Sequence, residues 1–284
     1  MNIFDGKKVA EKIKKEIAKE IKAKNLKPKL AVILIGDDEA SKIYVRLKKQ
    51  AGEKIGIKVE EYDFSSRARE DDIIVKINEL NKAGDAHGII VQLPLPAVFN
   101  TDRIIESIDP KKDADGFHKE NLKILQKGRC NFLPVLPLAI LLALREGFKN
   151  NLSGKSALAF VNSEIFGQVL KTILQKEGLG LKYLVRNTCL VFGAEDKLKK
   201  ADAVITVSGC PNMIKGDMIK DGAVLVDAGI TRYHDGKIIG DVDRESVAQK
   251  AAFLTPTPGG IGPVTVALLL RNVYLAALAL ENKK

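Results

Sequence analysis

Five short apolar runs, set apart by stretches with helical spacing, constrain this fold more than any other feature. They are KLAVILI (residues 29–35), GIIVQL (88–93), SALAFV (156–161), AVITV (203–207) and AVLVD (223–227). A strand with one wet face alternates apolar and polar residues. A run that is apolar throughout needs cover on both faces, which a parallel sheet flanked by crossover helices supplies. The spacing predicts those helices over 7–24, 41–51, 70–82 and 167–177, the second opened by Ser41 as its cap. Weaker strands are predicted at 57–62, 182–186 and 252–254. The fold class is therefore α/β, and the repeated strand–helix order predicts right-handed crossovers.

At 284 residues the chain suits one large or two modest domains. Residues 109–137 are dense in turn-formers and charge, so the junction falls there. We place a first domain at 1–128, completed by an apolar C-terminal helix within 264–284, and a second at 129–263. The second has the strand pattern of a nucleotide-binding sheet, whose ligands lie beyond the C-terminal ends of the strands.

The net charge is +10. Much of it sits on Lys7, Lys8, Lys12, Lys14, Lys15, Lys19 and Lys22, interleaved with Val9, Ile13, Ile17 and Ile21 at helical spacing. That is the pattern of a solvated helix face. No basic stretch is interleaved with aromatics, as nucleic-acid binding would need. No apolar run reaches the length of a bilayer span, and the longest, 133–144, is broken by Pro134 and Pro137. The N-terminus lacks the apolar core of a secretion signal. The three cysteines, Cys130, Cys189 and Cys210, form no C-x-x-C pair and indicate neither a zinc site nor a disulfide framework. The expectation is a cytoplasmic protein with no metal, membrane or nucleic-acid partner.

Five places could carry chemistry. Tyr44 and Lys48 lie one helical turn apart on the same face. A lysine beside an aromatic moves protons if its surroundings lower its pKa; read alone, it is a surface lysine beside a half-buried tyrosine. Gln92 is a polar amide in an apolar strand, followed by Pro94 and Pro96 at the sheet edge where ligands bind. In KDADGFH, Asp113 and Asp115 read as metal ligands, as a carboxylate for a ring amide, or as a solvated turn; an EF-hand's later ligands are missing. Residues 255–265 (TPTPGGIGPVT) are too rich in proline and glycine for helix or strand, and glycines there let backbone approach a ligand. After the strand at 156–161 a dinucleotide fingerprint would read G-x-G-x-x-G, but the chain offers only Gly167 behind Asn162 and Ser163.

Taken together these segments resemble one family. GDDEASKIYVRLKKQAGEKIGI (36–57), VQLPLP (91–96), KDADGFH (112–118) and TPTPGGIGPVTVALLLRN (255–272) are similar, in order, to signatures of the methylenetetrahydrofolate dehydrogenase/methenyltetrahydrofolate cyclohydrolase family. GCPNMIKGDMIKDGAVLVDAGI (209–230) and GDVD (240–243) also match its pattern. The resemblance implies a folate-binding catalytic domain and a Rossmann-like NAD(P)-binding domain with a cleft between them. It implies oxidation of 5,10-methylenetetrahydrofolate with NADP or NAD, then hydrolysis of the methenyl product to 10-formyltetrahydrofolate. By the same resemblance Tyr44 stacks on the aminobenzoate ring, Lys48 handles the protons of ring opening, Gln92 tunes that lysine and Asp115 holds the pterin. Pro258, Gly259 and Gly260 close over the substrate. Asn162, Ser163, Ile165, Gly167, Ile230, Gly262 and Thr265 fall at cofactor-binding positions. A homodimer formed through the nucleotide domain is implied as well.

The departures lie on the cofactor side. Many members have arginine where this chain has Asn162, and that arginine pairs with the 2′-phosphate of NADP. Val135 and Leu136 replace Cys-Thr between Pro134 and Pro137. Arg186 offers a substitute cation. Three other readings stay open: a cyclohydrolase without a useful nucleotide site, a short-chain dehydrogenase suggested by Tyr44-x-x-x-Lys48, and a non-catalytic anion-binding protein. Against the second, the chain before Tyr44 offers only Gly36 followed by two acids.

Overall fold

A computed structural model of the chain describes residues 1–128, 132–185, 189, 191, 193–233 and 236–281. It divides into two compact units, one of Ala10–Val135 with Val266–Lys284 and one of Met1–Val9 with Leu136–Thr265. The chain opens with β1 (Asn2–Ile3) and α1 (Gly6–Ala23). On α1 Ile17 and Ile21 are buried while Lys12, Lys15 and Lys19 are exposed, as the alternation of lysine and isoleucine predicts.

The first unit is built on a three-stranded sheet of order β3-β2-β4, parallel throughout. Its elements are β2 (Lys29–Ile35), α2 (Glu39–Glu53), β3 (Lys58–Phe64), α3 (Glu70–Lys82), β4 (Gly88–Val91), α4 (Thr101–Glu106) and α5 (Lys119–Gln126). The central strand is buried at every position from Leu30 to Ile35, which is why its sequence carries no polar alternation. Ile33, Ile35, Ile73, Ile77, Ile89 and Ile104 form the core against α3 and α4. Helix α2 begins earlier than predicted, because Asp38 and not Ser41 is its cap: the Asp38 carboxylate accepts the Ser41 amide at 2.7 Å. Helix α5 lies in the turn-rich stretch for which no helix was predicted, and His118 caps it by accepting from Glu120 N at 3.1 Å.

The second unit holds a six-stranded parallel sheet of order β1-β11-β8-β7-β5-β6. After α6 (Val135–Gly147) come β5 (Ser156–Val161), α7 (Glu164–Lys176), β6 (Gly180–Val185), α8 (Glu195–Leu198), β7 (Ala203–Val207) and β8 (Val224–Asp227). A small antiparallel pair, β9 (Thr231–Arg232) and β10 (Ile238–Ile239), precedes α9 (Arg244–Val247) and β11 (Phe253–Leu254). Asn2 pairs with Phe253 and Ile3 with Leu254, so the first nine residues group with this sheet, whereas the sequence reading assigned them to the first domain. Pro137 falls in the first turn of α6, where its missing N–H leaves no gap in the ladder. Helix α7 starts three residues before the predicted Gly167 because the Ser163 hydroxyl caps it, accepting from Phe166 N at 3.3 Å.

Two expectations need correction. Cys189 and Cys210 are joined by a disulfide across 21 residues of sequence. Spacing could not reveal it, because the partners follow β6 and β7, which meet only through β5. Helix α10 (Ile261–Glu281) is, by length and composition, apolar enough to cross a bilayer, contrary to the reading that no run reaches that length. In the first unit it is a core helix: Leu268, Leu270 and Val273 are buried, and a Cβ on Gly88 would meet Val273 at 2.8 Å. Asn272 Nδ2 donates to the carbonyls of Ala114 at 2.8 Å and Leu133 at 3.3 Å.

Candidate active site

In the three-stranded unit, α2 carries Tyr44 and Lys48 one turn apart, and β4 delivers Gln92 at its end. The Gln92 amide N–H donates to Ile33 O at 2.9 Å, which fixes its backbone in line with β2. Its side-chain Nε2 donates to Leu93 O at 2.7 Å. The remaining amide atom, Oε1, accepts from Lys48 Nζ at 2.5 Å. Asp115 arrives by a different route. Residues 112–114 run beside β4, with Ile89 N donating to Lys112 O at 2.7 Å and Ala114 N to Ile89 O at 3.3 Å. The next residue is then placed near Lys48.

Burial governs the electrostatics. Desolvation holds the Lys48 amine below the usual lysine range, and the charge of Asp115 opposes that. Burial pushes the Asp115 carboxyl up to about 6, with Lys48 pulling it back and Asp113 adding to the rise. An amine and a carboxyl displaced toward each other's range are chemically equipped to exchange protons.

Asp113 does something else. Its carboxylate accepts from Gly116 N at 3.0 Å, His118 N at 2.8 Å and Asn121 Nδ2 at 2.9 Å, so it organises the turn. The reading of Asp113 as a metal ligand gives way to this role. Among the described residues no group of three His, Cys, Asp or Glu is placed to hold a metal ion. Ser41, taken from the sequence as a cap, has its hydroxyl oxygen buried without a hydrogen-bond partner, seven residues before Lys48 on the same helical face. The spacing S-x-x-Y-x-x-x-K was the available signal.

In the six-stranded unit the strand order reverses at β5: β6 lies on one side and β7 on the other. Such a switch point leaves a crevice at the strand ends, with the N-terminus of the following helix facing it. Asn162 and Ser163 form that turn, and Ile165 is half exposed on the first turn of α7. At Gly167 a Cβ would stand 2.5 Å from the Tyr183 ring, so the glycine lets α7 pack on β6. Ile230 is exposed just beyond β8. Pro258, after a cis peptide, Gly259 (φ +103°) and Gly260 make a tight turn, and a Cβ on Gly260 would meet Pro256 O at 2.6 Å. Gly262 and Thr265 open α10, with Thr265 Oγ1 donating to Gly262 O at 2.7 Å. Arg186 lies outside the described residues.

A buried carboxylate pair at this sheet's C-terminal edge was not singled out from the sequence. Asp241 accepts the amides of Ser208 at 2.8 Å and Cys210 at 2.6 Å, just after β7. Asp227, at the end of β8, accepts from Gly229 N, Asp241 N and Val242 N at 3.0–3.1 Å, and burial pushes it up to about 7. A Cβ on Gly229 or Gly240 would stand 2.0 Å from these carboxylates. Acids flanked by glycine, in VDAG and IGDV, were the legible sign.

Comparison with known proteins bears on both units. The family model described as tetrahydrofolate dehydrogenase/cyclohydrolase, catalytic domain, matches residues 4–115, and that of the family's NAD(P)-binding domain matches 134–281. The bifunctional protein FolD of Nautilia profundicola is 40% identical over 282 residues, covering 98% of this chain and 97% of that protein. The crystal structure of the bifunctional FolD methylenetetrahydrofolate dehydrogenase/cyclohydrolase from Campylobacter jejuni superposes with a TM-score of 0.90 at 38% identity, covering 100% of both chains. The Trypanosoma brucei enzyme, complexed with NADP cofactor and inhibitor, gives a TM-score of 0.90 at 28% identity over 98% of this chain and 97% of its own. With both of its domains matched in order along one two-unit α/β chain, this protein belongs to the tetrahydrofolate dehydrogenase/cyclohydrolase family.

Proposed function

We propose that this chain oxidises 5,10-methylenetetrahydrofolate to the methenyl cation with NADP or NAD and hydrolyses that cation to 10-formyltetrahydrofolate. The observation that carries the reading is the Lys48–Gln92 hydrogen bond with Asp115 at hand, in a chain matched along its length by bifunctional relatives.

The methenyl carbon is already an electrophile. Attack by water gives a tetrahedral adduct, and one ring nitrogen must gain a proton before it leaves. Lys48, held below its usual range, takes a proton from the attacking water and returns it to the departing nitrogen. Gln92 accepts from the amine and keeps it aimed. Asp115, ionised above about pH 6, accepts hydrogen bonds from the pterin's N–H groups. Tyr44 offers its ring to the aminobenzoate. A cationic substrate next to a cationic lysine is disfavoured, which keeps the amine neutral in the complex.

The six-stranded unit fits a nicotinamide dinucleotide. The α7 N-terminus opens at the switch point, Ser163 begins it, and Asp241 fixes the backbone after β7. When bound, the dinucleotide's nicotinamide ring takes the hydride. Asn162, Ser163 and Ile165 would hold its phosphates and ribose, with Ile230, Gly262 and Thr265 toward the nicotinamide end. Asn162 brings no charge to a 2′-phosphate. The reading carries with it a cytoplasmic homodimer.

The test is direct. Purified protein is given methylenetetrahydrofolate with NADP, then NAD, and the methenyl chromophore is followed as it forms and decays. Formation and decay support both activities. Decay of supplied methenyl compound without hydride transfer to either cofactor leaves a cyclohydrolase alone, and neither activity overturns the reading.

A further inference from the structure

We infer that Glu164 sets the choice between the two nicotinamide dinucleotides: its carboxylate accepts the 2′-hydroxyl of the NAD adenosine ribose and repels the 2′-phosphate of NADP. The inference deepens the reading of the six-stranded unit as a dinucleotide site and rests on it.

In a doubly wound sheet the pyrophosphate sits at the N-terminus of the helix that follows the first strand. The adenosine ribose lies toward the second strand, where an acidic residue about 20 positions further on takes its 2′-hydroxyl when the cofactor is NAD. Here the first strand is β5, the helix is α7 and the second strand is β6, paired in parallel with β5. Strand β6 carries no acid between Gly180 and Val185. It carries Tyr183, 19 residues after Glu164, and the Tyr183 hydroxyl donates to Glu164 Oε1 at 2.5 Å. The acid that β6 lacks is thus supplied from the first turn of α7 and tethered to the second strand.

Several contacts hold that carboxylate in place. The Tyr183 ring packs on α7 at Gly167, where a Cβ would stand 2.5 Å from it, and this brings the hydroxyl to Glu164 about one turn earlier. Gln168 Nε2 donates to the same Oε1 at 3.1 Å. The hydrogen bond to Glu164 also holds the Tyr183 phenol above its ordinary range, so it stays a donor. Both contacts fall on Oε1, and Oε2 has no partner among the described residues. Glu164 is exposed, so a ligand can reach that second oxygen. A ribose hydroxyl can donate to it. A 2′-phosphate brings negative charge and meets a like charge at close range. The side chains of Asn162 and Ser163 beside it are neutral and offer no compensation.

The test is titration calorimetry of full-length protein with NAD and with NADP, at about 0.05 and about 0.5 M salt. The wild type should bind NAD about tenfold more tightly than NADP at low salt, and the gap should narrow at high salt as the repulsion is screened. Glu164→Gln, checked for a native circular-dichroism spectrum, should gain about tenfold in NADP affinity and lose about threefold in NAD affinity, because the charge goes and the hydrogen bond to the ribose becomes a neutral one. The salt series needs no variant, so it decides the matter even where the substitution costs the fold. Tighter binding of NADP than of NAD by the wild type, a gap that widens with salt, or an unchanged ratio of the two affinities in Glu164→Gln overturns the inference. Binding of neither dinucleotide by the wild type overturns the dinucleotide-site reading, and this inference with it.

Discussion

Gln92 meets Lys48 through its oxygen, because its own nitrogen is committed to the carbonyl of the next residue. Nε2 donates to Leu93 O at 2.7 Å, and Oε1 accepts from Lys48 Nζ at 2.5 Å. An amide has one acceptor and two donors, so this backbone contact decides which end faces the amine. The glutamine thus holds the lysine as an acceptor without bringing a charge to it.

Replacing the amine tests the centre of the proposal. Lys48→Met should keep a native circular-dichroism spectrum and melting curve while methenyl hydrolysis falls by about 10²- to 10⁴-fold, the usual weight of a positioned acid–base group. Wild-type turnover in this variant would remove Lys48 from the chemistry.

Gln92→Glu puts a carboxylate where Oε1 now stands. The new charge favours the protonated lysine and raises its pKa. The pH profile of hydrolysis should shift toward alkaline values, with the largest loss near neutrality. An unchanged profile, measured by steady-state kinetics from about pH 5 to 10, would show that the amide does not tune the amine.

Asp115 links activity and stability to pH. Its carboxyl stands at about 6 in the folded chain, against 3.8 when unperturbed. The folded state therefore holds this proton more tightly than the unfolded state. The resulting stability is present below about pH 4 and is lost as pH rises through 6. Lifting a carboxyl from 3.8 to about 6 corresponds to about 3 kcal/mol. Asp115→Asn should gain stability over the wild type between pH 4 and pH 8, by chemical denaturation, and lose pterin binding. In the wild type, kcat/KM for hydrolysis should climb through an apparent pKa near 6. If the two proteins keep a constant stability difference across that range, the buried-carboxyl account fails.

Asp241→Asn tests the other sheet edge. The Ser208 and Cys210 amides now donate to separate oxygens at 2.8 and 2.6 Å, so the new amide would keep an oxygen toward one of them and turn an NH2 group toward the other. Leaving that one donor unpaired costs about 1–3 kcal/mol. Dinucleotide affinity should weaken while methenyl hydrolysis persists. Calorimetry alongside a hydrolysis assay separates this from general unfolding, which would take both.

The parts of the fold legible in the sequence are those where burial leaves no choice. β2, β5 and β7 fall on the predicted residues because each is covered on both faces, so their buried positions, Thr206 apart, are apolar. Helix α5 was hidden because its buried contacts, Asn121 and Leu125, are few and its sequence is mostly polar. The cap of α2 was ambiguous because Asp38 and Ser41 are both good cap residues, and only geometry chooses between them. At the site, spacing alone linked Tyr44 to Lys48. The arrival of Gln92 and Asp115 depends on parallel pairing between segments far apart in sequence, and it was the resemblance that joined them. The cysteine bridge and the Asp227–Asp241 pair needed the strand order of the six-stranded sheet.

Each compact unit is assembled from two separated pieces of chain, and this shapes how a ribosome can deliver the protein. Residues 10–135 contain the proposed proton-handling residues, yet they lack Leu270 and Val273, which pack against Gly52 and Gly88, and Asn272, which braces the loop carrying Asp115. A nascent chain stalled before residue 266 therefore displays an apolar sheet face that nothing of its own can cover. The first unit to be translated is among the last to be finished, because its apolar surface stays uncovered until the final helix has emerged.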